Sequence, residues 1–266
     1  MTEIGSDSAH YVGVMPDGTE VTLAWAARSE TGHHRDTNQD SFVARPPIFA
    51  VADGMGGHAA GDFASGVVVT RLAEHGGKTH VGTPDLELSL RLAVRDMSRG
   101  LGVTDEGSGT TVTGIALGHM SGEAVWFVFN IGDSRVYCLN GENFEQLTMD
   151  HSIVQEMVNA GQITREQADE HPHANVITRA VGFHETPVPD YRPIALDAGM
   201  RLVICSDGLT KELTDYGIGH ILAENDTPAS AVKHLVREAL RNGGRDNVTV
   251  MVVDVLQVVC PGGDGS

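Results

Sequence analysis

Residues 48–61 read IFAVADGMGGHAAG, an apolar run followed by an aspartate, several glycines and a histidine. The run is too continuously apolar for a strand with one exposed face, so it predicts a strand covered on both faces. Asp53 follows where the backbone leaves this strand. Because Gly54, Gly56 and Gly57 lack a Cβ atom, an ion, a phosphate or another backbone segment can approach the main chain. The stretch therefore predicts a buried strand that delivers a carboxylate into a tight turn, and it leaves open what the turn binds.

The composition is that of an acidic protein with a sizeable core. The 266 residues are 41% hydrophobic, and no linker-like stretch interrupts them, which favours one large domain over two small ones. Eighteen basic and 36 acidic residues give a formal charge of −18, which disfavours binding to nucleic acid and to anionic membranes. Three widely spaced cysteines predict reduced thiols, and we find no signal region and no membrane-length apolar run. We therefore expect a cytoplasmic protein.

Strands and helices are predicted on both sides of the opening stretch. Strands fit residues 21–28, 200–205 and 247–255, and helices fit 62–75, 83–101 and 227–240. Between 109 and 139, three strand-like runs are joined by turns short enough only for antiparallel neighbours, which predicts a meander rather than a purely parallel sheet. Capping-box patterns at 152–155 and 164–167 predict two short helices in a segment that continues rich in Pro, His and Gly.

Aspartate recurs beside a turn-forming residue at the ends of the predicted core strands. The pairs are Asp53-Gly54, Gly132-Asp133, Asp207-Gly208 and Asp246-Asn247, and Asp40 adds a fifth carboxylate in a polar loop. Turn conformation alone explains any one pair, whereas clustered carboxylates repel one another and take up protons unless a cation neutralises them. Oxygen ligands of this kind suit Mg²⁺ or Mn²⁺ better than zinc. The pattern therefore predicts a site for hard cations.

Such a site indicates hydrolysis of a phosphate ester. Two ions about 3.5 to 4 Å apart can share one water, lower its pKa and hold a phosphoryl group for in-line attack without a protein nucleophile. The fork of an arginine matches phosphate oxygens two at a time. Arg35 lies in the same polar loop, five residues before Asp40, and is the candidate for this role.

Eight short motifs extend this interpretation over about 220 residues, from 35 to 253. They are RDTNQDS (35–41), VADGMGGHAAG (51–61), SGTT (108–111), NIGDSRVY (130–137), LTMDHS (147–152), ITRAVG (177–182), ICSDGL (204–209) and RDNVTVMVV (245–253). In this order they resemble the motif series of the metal-dependent serine/threonine protein phosphatases, the phosphatase 2C family, in its bacterial form. The resemblance implies an α+β fold, a four-layer α-β-β-α sandwich of two antiparallel sheets flanked by helices, with a binuclear Mn/Mg centre at one edge.

The resemblance assigns metal ligands residue by residue. Asp53 would bridge two Mn²⁺ or Mg²⁺ ions, and the carbonyl of Gly54 would complete one of them. Asp207 and Asp246 would bind the other ion. Asp133 matches a residue that helps Asp207 to bind a further metal in bacterial relatives, so two or three ions are expected.

The resemblance also assigns residues around the ions. Asp40 would hold metal-bound waters, and Arg35 matches the phosphate-binding arginine. One position departs from the pattern: eukaryotic relatives carry a histidine directly after the Asp-Gly pair, where this chain has Met55. His58 follows three residues later, and its imidazole could protonate the leaving oxygen. Metal-bound water is the other candidate for this acid, and His58 would then only cap or pack against the following helix.

The composition and the resemblance together divide the chain into segments and indicate its partners. Residues 21–256 would form the catalytic domain, preceded by a polar lead-in at 1–20 and followed by a disordered tail at 257–266. A flap beside the active site is expected at about 153–189. The partners implied are phosphorylated protein substrates, including Ser/Thr kinases, with neither nucleic acid nor membrane among them. The oligomeric state stays open.

Two other functions fit part of the sequence. Residues 54–59 match the GxGxxA fingerprint of dinucleotide-binding oxidoreductases, but the antiparallel meander that follows does not suit that fold. That function also leaves Asp207 and Asp246 unexplained. A catalytically weak phosphatase fold that serves as a phosphoprotein-binding module is the second alternative. Since every expected ligand aspartate is present, we expect an active protein-serine/threonine phosphatase.

Overall fold

Two β-sheets lie face to face in the computed structural model of this chain, which describes residues 1–56, 60–100, 109–183 and 186–261. Their strands are, in chain order, β1 (Glu3–Gly5), β2 (Ser8–Val14), β3 (Glu20–Glu30), β4 (Asp40–Arg45), β5 (Ile48–Met55), β6 (Gly109–Thr110), β7 (Val112–Met120), β8 (Glu123–Ile131), β9 (Arg135–Asn140), β10 (Asn143–Gln146), β11 (Asp190–Ala195), β12 (Arg201–Cys205) and β13 (Val248–Val259). The helices are α1 (Ala60–Ala73), α2 (Thr83–Gly100), α3 (Ile153–Asn159), α4 (Arg165–Asp169), α5 (Asp207–Thr210), α6 (Asp215–Ala223) and α7 (Pro228–Asn242).

The order of the strands confirms the predicted sandwich. The first sheet has the order β1-β4-β5-β7-β8-β11, with β6 paired to the end of β5, and the second has the order β10-β9-β12-β13-β3-β2. Helices α1 and α2 cover the outer face of the first sheet, and α6 and α7 cover the outer face of the second. Neighbouring strands are antiparallel apart from β1 and β4, which run parallel at one edge. The fold is therefore α+β, with two sheets flanked by helices.

An aromatic cluster fills the space between the two sheets. Phe49 of β5 is fully buried, and its ring lies 5.2 Å from that of Trp25 and 6.3 Å from that of Trp126, both edge to face. Trp25 belongs to the second sheet, whereas Phe49 and Trp126 belong to the first. Aliphatic side chains from both sheets surround the three rings. The continuous apolar run at 48–51 is thus explained, because β5 is covered by the second sheet on one face and by helices on the other.

Residues 1–20 and the end of the chain contain more strand structure than their sequences predict. β1 extends the first sheet beside β4, and β2 extends the second sheet beside β3. Since β2 alternates exposed and half-buried residues, its pattern lacks the apolar run by which the other strands are recognised. β13 continues to Val259, beyond the expected start of the tail at 257, and residues 262–266 lie outside the described part of the chain. The domain limits at 21 and 256 remain a prediction.

The predicted meander is only partly correct. β7 and β8 are antiparallel neighbours joined by a short turn, as expected. β9, the third run, instead lies in the second sheet between β10 and β12. Gly132, with a φ of +111°, lies in the connection between β8 and β9, a backbone conformation that favours glycine. The short connection therefore carries the chain from one sheet to the other instead of turning it back, and it brings Asp133 to the edge where the sheets meet. None of the helices in the described ranges has the length and apolarity needed to cross a membrane.

Candidate active site

The five aspartates of the predicted metal site converge at one edge of the sandwich. Asp40 and Asp53 are direct cross-strand partners of β4 and β5 in the first sheet. Asp207 follows β12 and Asp246 precedes β13, two neighbouring strands of the second sheet. The negative charges that act on the Asp53 carboxylate are those of Asp40, Asp207, Asp133 and Asp246. The fold thus brings together all five residues that the sequence suggested.

Asp40 links the two sheets through buried hydrogen bonds. Its Oδ2 atom accepts from the Ser206 hydroxyl at 2.8 Å and from the Thr249 hydroxyl at 2.6 Å, and both residues come from the second sheet. Its Oδ1 atom is buried and has no hydrogen-bond partner among the described residues. Burial raises the pKa of Asp40 to about 6, an effect that the two hydroxyls oppose and that nearby carboxylates reinforce. Asp40 is therefore held rigidly with one oxygen left for a cation or water.

Asp53 and Gly54 are held in place through their own main-chain atoms. The backbone N–H of Asp53 donates to the Thr111 hydroxyl at 3.1 Å. A Cβ atom at Gly54 would lie 2.2 Å from the carbonyl oxygen of Gly61 and 2.7 Å from that of Gln39, so only glycine fits there. Burial, followed by the charges of the neighbouring carboxylates, raises the pKa of Asp53 well above its usual range. An anionic Asp53 at neutral pH therefore requires positive charge nearby.

Two basic side chains lie among the carboxylates on the second sheet. Arg35 forks onto Asp246, with Nε 2.9 Å from Oδ1 and Nη2 2.9 Å from Oδ2. The Lys211 ammonium lies 2.5 Å from Oδ2 of Asp207 and 3.1 Å from Oδ2 of Asp246. These positive charges outweigh burial and lower the pKa of Asp246. The Oδ1 atom of Asp207 is buried and has no hydrogen-bond partner among the described residues. The sequence predicted that Arg35 lies in this site. It did not predict Lys211, because a lysine four residues after a turn aspartate is common in proteins and marks no site.

A buried glutamate anchors the loop that carries Asp246. The side chain of Glu212 is 1% exposed, and its Oε1 accepts from the backbone N–H of Arg245 at 3.0 Å and from Arg245 Nε at 2.9 Å. These bonds lower the pKa of Glu212, so it stays ionised. On the other side of Asp246 in the chain, Asn247 Oδ1 accepts a hydrogen bond of 2.9 Å from the backbone N–H of Gln39. The loops before Asp40 and around Asp246 are thus tied together by residues that the motif series does not assign to the metal.

Asp133 lies on a turn that a histidine supports. The Gly132 N–H donates to Nδ1 of His151 at 3.0 Å, so Nε2 of His151 carries the proton and donates to Asp190 at 3.1 Å. His151 is 6% exposed and acts as a structural hydrogen-bonding residue of the DHS motif. Burial, reinforced by the charges of Asp207 and Asp150, raises the pKa of Asp133 to about 7.

The segment expected to act as a flap, 153–189, is attached to the site at both ends by main-chain hydrogen bonds. At one end, the His151 N–H donates to the carbonyl of Gly132 at 2.9 Å, next to Asp133. At the other end, Thr110 and Val181 exchange two backbone hydrogen bonds of 3.0 and 2.8 Å, and Thr110 pairs with Gly54. Helices α3 and α4 lie between these two attachments. The role of this segment as a flap remains a prediction.

His58, the predicted candidate for the catalytic acid, lies at 57–59, outside the described residues. Its role remains a prediction. Met55, which occupies the position of the family's histidine, ends β5 and is half-buried. Its thioether cannot supply a proton, so the acid has to come from elsewhere.

The site residues fit hard divalent cations. The donors are all oxygens, and two buried carboxylate oxygens lack a hydrogen-bond partner among the residues that the structure describes. Burial raises the pKa of three of the aspartates. No three His, Cys, Asp or Glu side chains in the described ranges already form a metal cage. Arg35 and Lys211 instead form ion pairs with oxygens of Asp207 and Asp246.

The raised pKa of Asp133 predicts a pH-dependent stability once metal is removed with EDTA. Its folded-state pKa of about 7 lies above the usual 3.8, so the folded protein binds the extra proton between those values and loses stability as the pH rises through 7. We expect the melting temperature of Asp133→Asn to exceed that of wild type by several degrees more at pH 8 than near pH 5. Thermal melts in EDTA at both pH values test this difference, and a constant difference across this range contradicts it.

Known protein sequences similar to this chain are phosphatases. The family model described as Protein phosphatase 2C matches residues 30–242. The serine/threonine protein phosphatase PstP of Mycobacterium tuberculosis is 40% identical over 242 residues, which cover 89% of this chain and 46% of PstP. The protein phosphatase PhpP of Streptococcus pneumoniae is 34% identical over 241 residues, which cover 85% of this chain and 95% of PhpP. The chain thus spans about half the length of the mycobacterial relative and nearly all of the pneumococcal one.

Solved structures give the same result. The crystal structure of the M. tuberculosis serine/threonine phosphatase PstP/Ppp matches with a TM-score of 0.81 at 37% identity, covering 88% of this chain and 99% of that one. The catalytic domain of PstP in complex with two manganese ions matches with a TM-score of 0.78 at 37% identity and the same coverage. The sequence comparisons and the structure comparisons therefore both identify bacterial phosphatases as relatives of this chain.

Proposed function

We propose that this chain, which belongs to the protein phosphatase 2C family, hydrolyses phosphoserine and phosphothreonine in proteins in a metal-dependent reaction. The observation that carries the proposal is the buried carboxylate cluster, in which like charges lie close together and two oxygens have no hydrogen-bond partner in the described part of the chain. Such a cluster is costly to keep ionised unless cations neutralise it. A relative with this fold was crystallised with two manganese ions, which supports Mn²⁺ or Mg²⁺ here.

The proposed ligands are the strand-end residues described above. Asp53 would bridge two ions, with the Gly54 carbonyl on one of them and Asp207 and Asp246 on the other; Asp133 is the candidate for a third. When bound, such a pair of ions lowers the pKa of a shared water and polarises the phosphoryl group.

The protein's own residues would orient water and substrate. Asp40, fixed by two hydroxyl donors, keeps one oxygen free to orient a water molecule. Arg35 is half-exposed, and its guanidinium fork can leave Asp246 to bind two oxygens of a phosphate. The proton for the leaving oxygen would come from His58 or from water in the site.

We propose phosphorylated proteins as substrates, Ser/Thr kinases among them, in the cytoplasm. The described cysteines, Cys138, Cys205 and Cys260, are unpaired, which suits a reducing compartment. The formal charge of −18 argues against nucleic acid as a partner.

Hydrolysis of a phosphothreonine peptide with and without Mn²⁺ tests the proposed function. We expect turnover with Mn²⁺, loss of turnover in EDTA, and loss in Asp207→Asn with metal present. Turnover that survives chelation would contradict the metal mechanism. Saturable binding of the phosphopeptide without turnover, in metal-loaded wild type, would instead support the phosphoprotein-binding module.

The role of Arg35 makes a separate prediction for kinetics. We expect Arg35→Lys to raise KM for the phosphopeptide about tenfold or more, because a lysine ammonium cannot bind two phosphate oxygens in the bidentate way that a guanidinium can. Steady-state kinetics measure the effect, with Arg28→Lys on β3, whose guanidinium pairs with Glu30, as the matched control. An unchanged KM in Arg35→Lys would exclude a phosphate contact from this residue.

A further inference from the structure

Lys211 is a cation in the middle of the candidate metal ligands. Its ammonium contacts Oδ2 of Asp207 at 2.5 Å and Oδ2 of Asp246 at 3.1 Å, and only 32% of its side chain is exposed. Burial alone would lower the pKa of Lys211, but the two carboxylates outweigh burial and raise it, so the ammonium stays charged at neutral pH. Its charge also reaches Asp133, whose raised pKa it partly offsets.

The backbone fixes this arrangement. Lys211 directly follows α5, and its N–H donates to the Asp207 carbonyl at 2.8 Å, so the two residues are one helical turn apart. The next residue, Glu212, is locked by Arg245. The Lys211 backbone therefore cannot move away from Asp207, and only its side chain can leave the carboxylates.

An ammonium and a divalent ion compete for the same carboxylate oxygens. Asp207 and Asp246 are the proposed ligands of one ion, and the Lys211 contacts in the described residues are to these two aspartates and not to Asp53 or Gly54. Two positive charges a few ångströms apart in a partly buried site repel each other strongly. The ion near Gly54 would not meet this competition directly.

We propose that Lys211 is a built-in competitor of the metal centre, whose ammonium must be displaced from Asp207 and Asp246 before their ion binds. This inference rests on the metal centre of the proposed function. Lys211 thereby makes that ion position the weaker of the two and sets the metal concentration at which the site fills. It acts as a positioning residue, because it controls the ligands and not the reacting atoms.

Titration of metal-free protein with Mn²⁺ by calorimetry tests the competition. We expect wild type to bind at least two ions with distinct affinities, and Lys211→Gln to bind the ion at Asp207 and Asp246 about tenfold more tightly or better. Lys211→Arg keeps the charge and should stay within about threefold of wild type. Lys233→Gln, which removes an exposed lysine of α7, is the matched control and should leave both affinities unchanged.

Chemical labelling of lysine gives a second readout, which does not depend on any variant. The chain has only three lysines, Lys78, Lys211 and Lys233. Under trace acetic anhydride, followed by peptide mass analysis, saturating Mn²⁺ should increase the labelling of Lys211 several-fold. The reagent acylates the neutral amine, and a side chain released from Asp207 and Asp246 loses its proton more readily and is accessible to the reagent. Lys78 and Lys233 are exposed and serve as internal controls.

The outcomes separate this inference from the proposed function. Tighter Mn²⁺ binding in Lys211→Gln together with faster labelling of Lys211 supports it. Equal Mn²⁺ affinities in wild type and Lys211→Gln overturn it and leave the metal centre standing. If neither protein binds Mn²⁺, the metal centre and the competition fail together.

Discussion

Asp53→Asn is expected to reduce Mn²⁺-dependent hydrolysis of a phosphothreonine peptide about 1000-fold or more. Asp53 is the proposed bridge between two ions, and its loss should remove about 4 kcal/mol or more of transition-state stabilisation. A loss of about 4 kcal/mol corresponds to a 1000-fold lower rate. The same variant should melt at a higher temperature than wild type in EDTA at pH 8. The reason is that burial and the neighbouring charges raise the pKa of Asp53, so its ionised form destabilises the fold without metal.

These two effects have opposite signs, which separates loss of a ligand from loss of folding. Kinetics with saturating Mn²⁺ and thermal melts in EDTA measure them on the same preparation. Asp197→Asn, which changes an exposed aspartate before β12, is the control and should alter neither. An Asp53→Asn enzyme with more than a tenth of the wild-type rate would contradict the bridging role.

Phe49→Ala is expected to lower the free energy of unfolding by about 3 to 5 kcal/mol. Phe49 is fully buried between the sheets, and its ring touches an indole from each of them, those of Trp25 and Trp126. Removing the ring leaves a cavity that strands fixed by ladders on both sides cannot close.

Urea denaturation followed by tryptophan fluorescence measures this loss directly. The emission of Trp25 and Trp126 should also change in the folded variant, because both indoles lose the ring they contact. Tyr216→Ala is the control, since Tyr216 is 82% exposed and its removal should cost less than about 0.5 kcal/mol. A Phe49→Ala variant within 1 kcal/mol of wild type would mean that the sheets can close on the cavity.

Much of the fold could be predicted from the sequence because local patterns dominate in the core. The apolar run at 48–51 and Gly54 were each predictable from their own neighbours in sequence, and the structure shows a buried strand and a close backbone approach at these positions. Helices α2 and α7 were predictable for the same reason, since each shows one apolar stripe at helical spacing.

The remaining errors have one physical cause, which is that pairing between distant segments leaves little local trace. β9 follows β8 closely but pairs in the other sheet, and no pattern within either strand indicates the crossing. β2 is half-exposed along its length, so it lacks an apolar run. The contacts of Lys211 likewise depend on where other strands end.

The site shows the same division. Four of the aspartates could be found because a carboxylate beside a turn-forming residue recurs at the ends of predicted core strands. The residues that support them are serine, threonine, asparagine and glutamate, types that are common on any surface. Ser206 and Thr249 gain their importance only through Asp40, which lies far from both in the chain.

The attachment of 153–189 at both ends has a consequence for how this segment can vary in sequence. The anchors at Gly132 and Val181 are main-chain hydrogen bonds, so they do not depend on the side chains between them. Lengthening the segment between fixed ends has little effect on the free energy of folding, because each doubling of a flexible loop costs only about 0.6 kcal/mol of closure entropy. Helices α3 and α4 can therefore exchange sequence or gain residues while the aspartates keep their places. The surface of this segment, which we propose meets the protein substrate, can therefore change while the carboxylate site beside it stays intact.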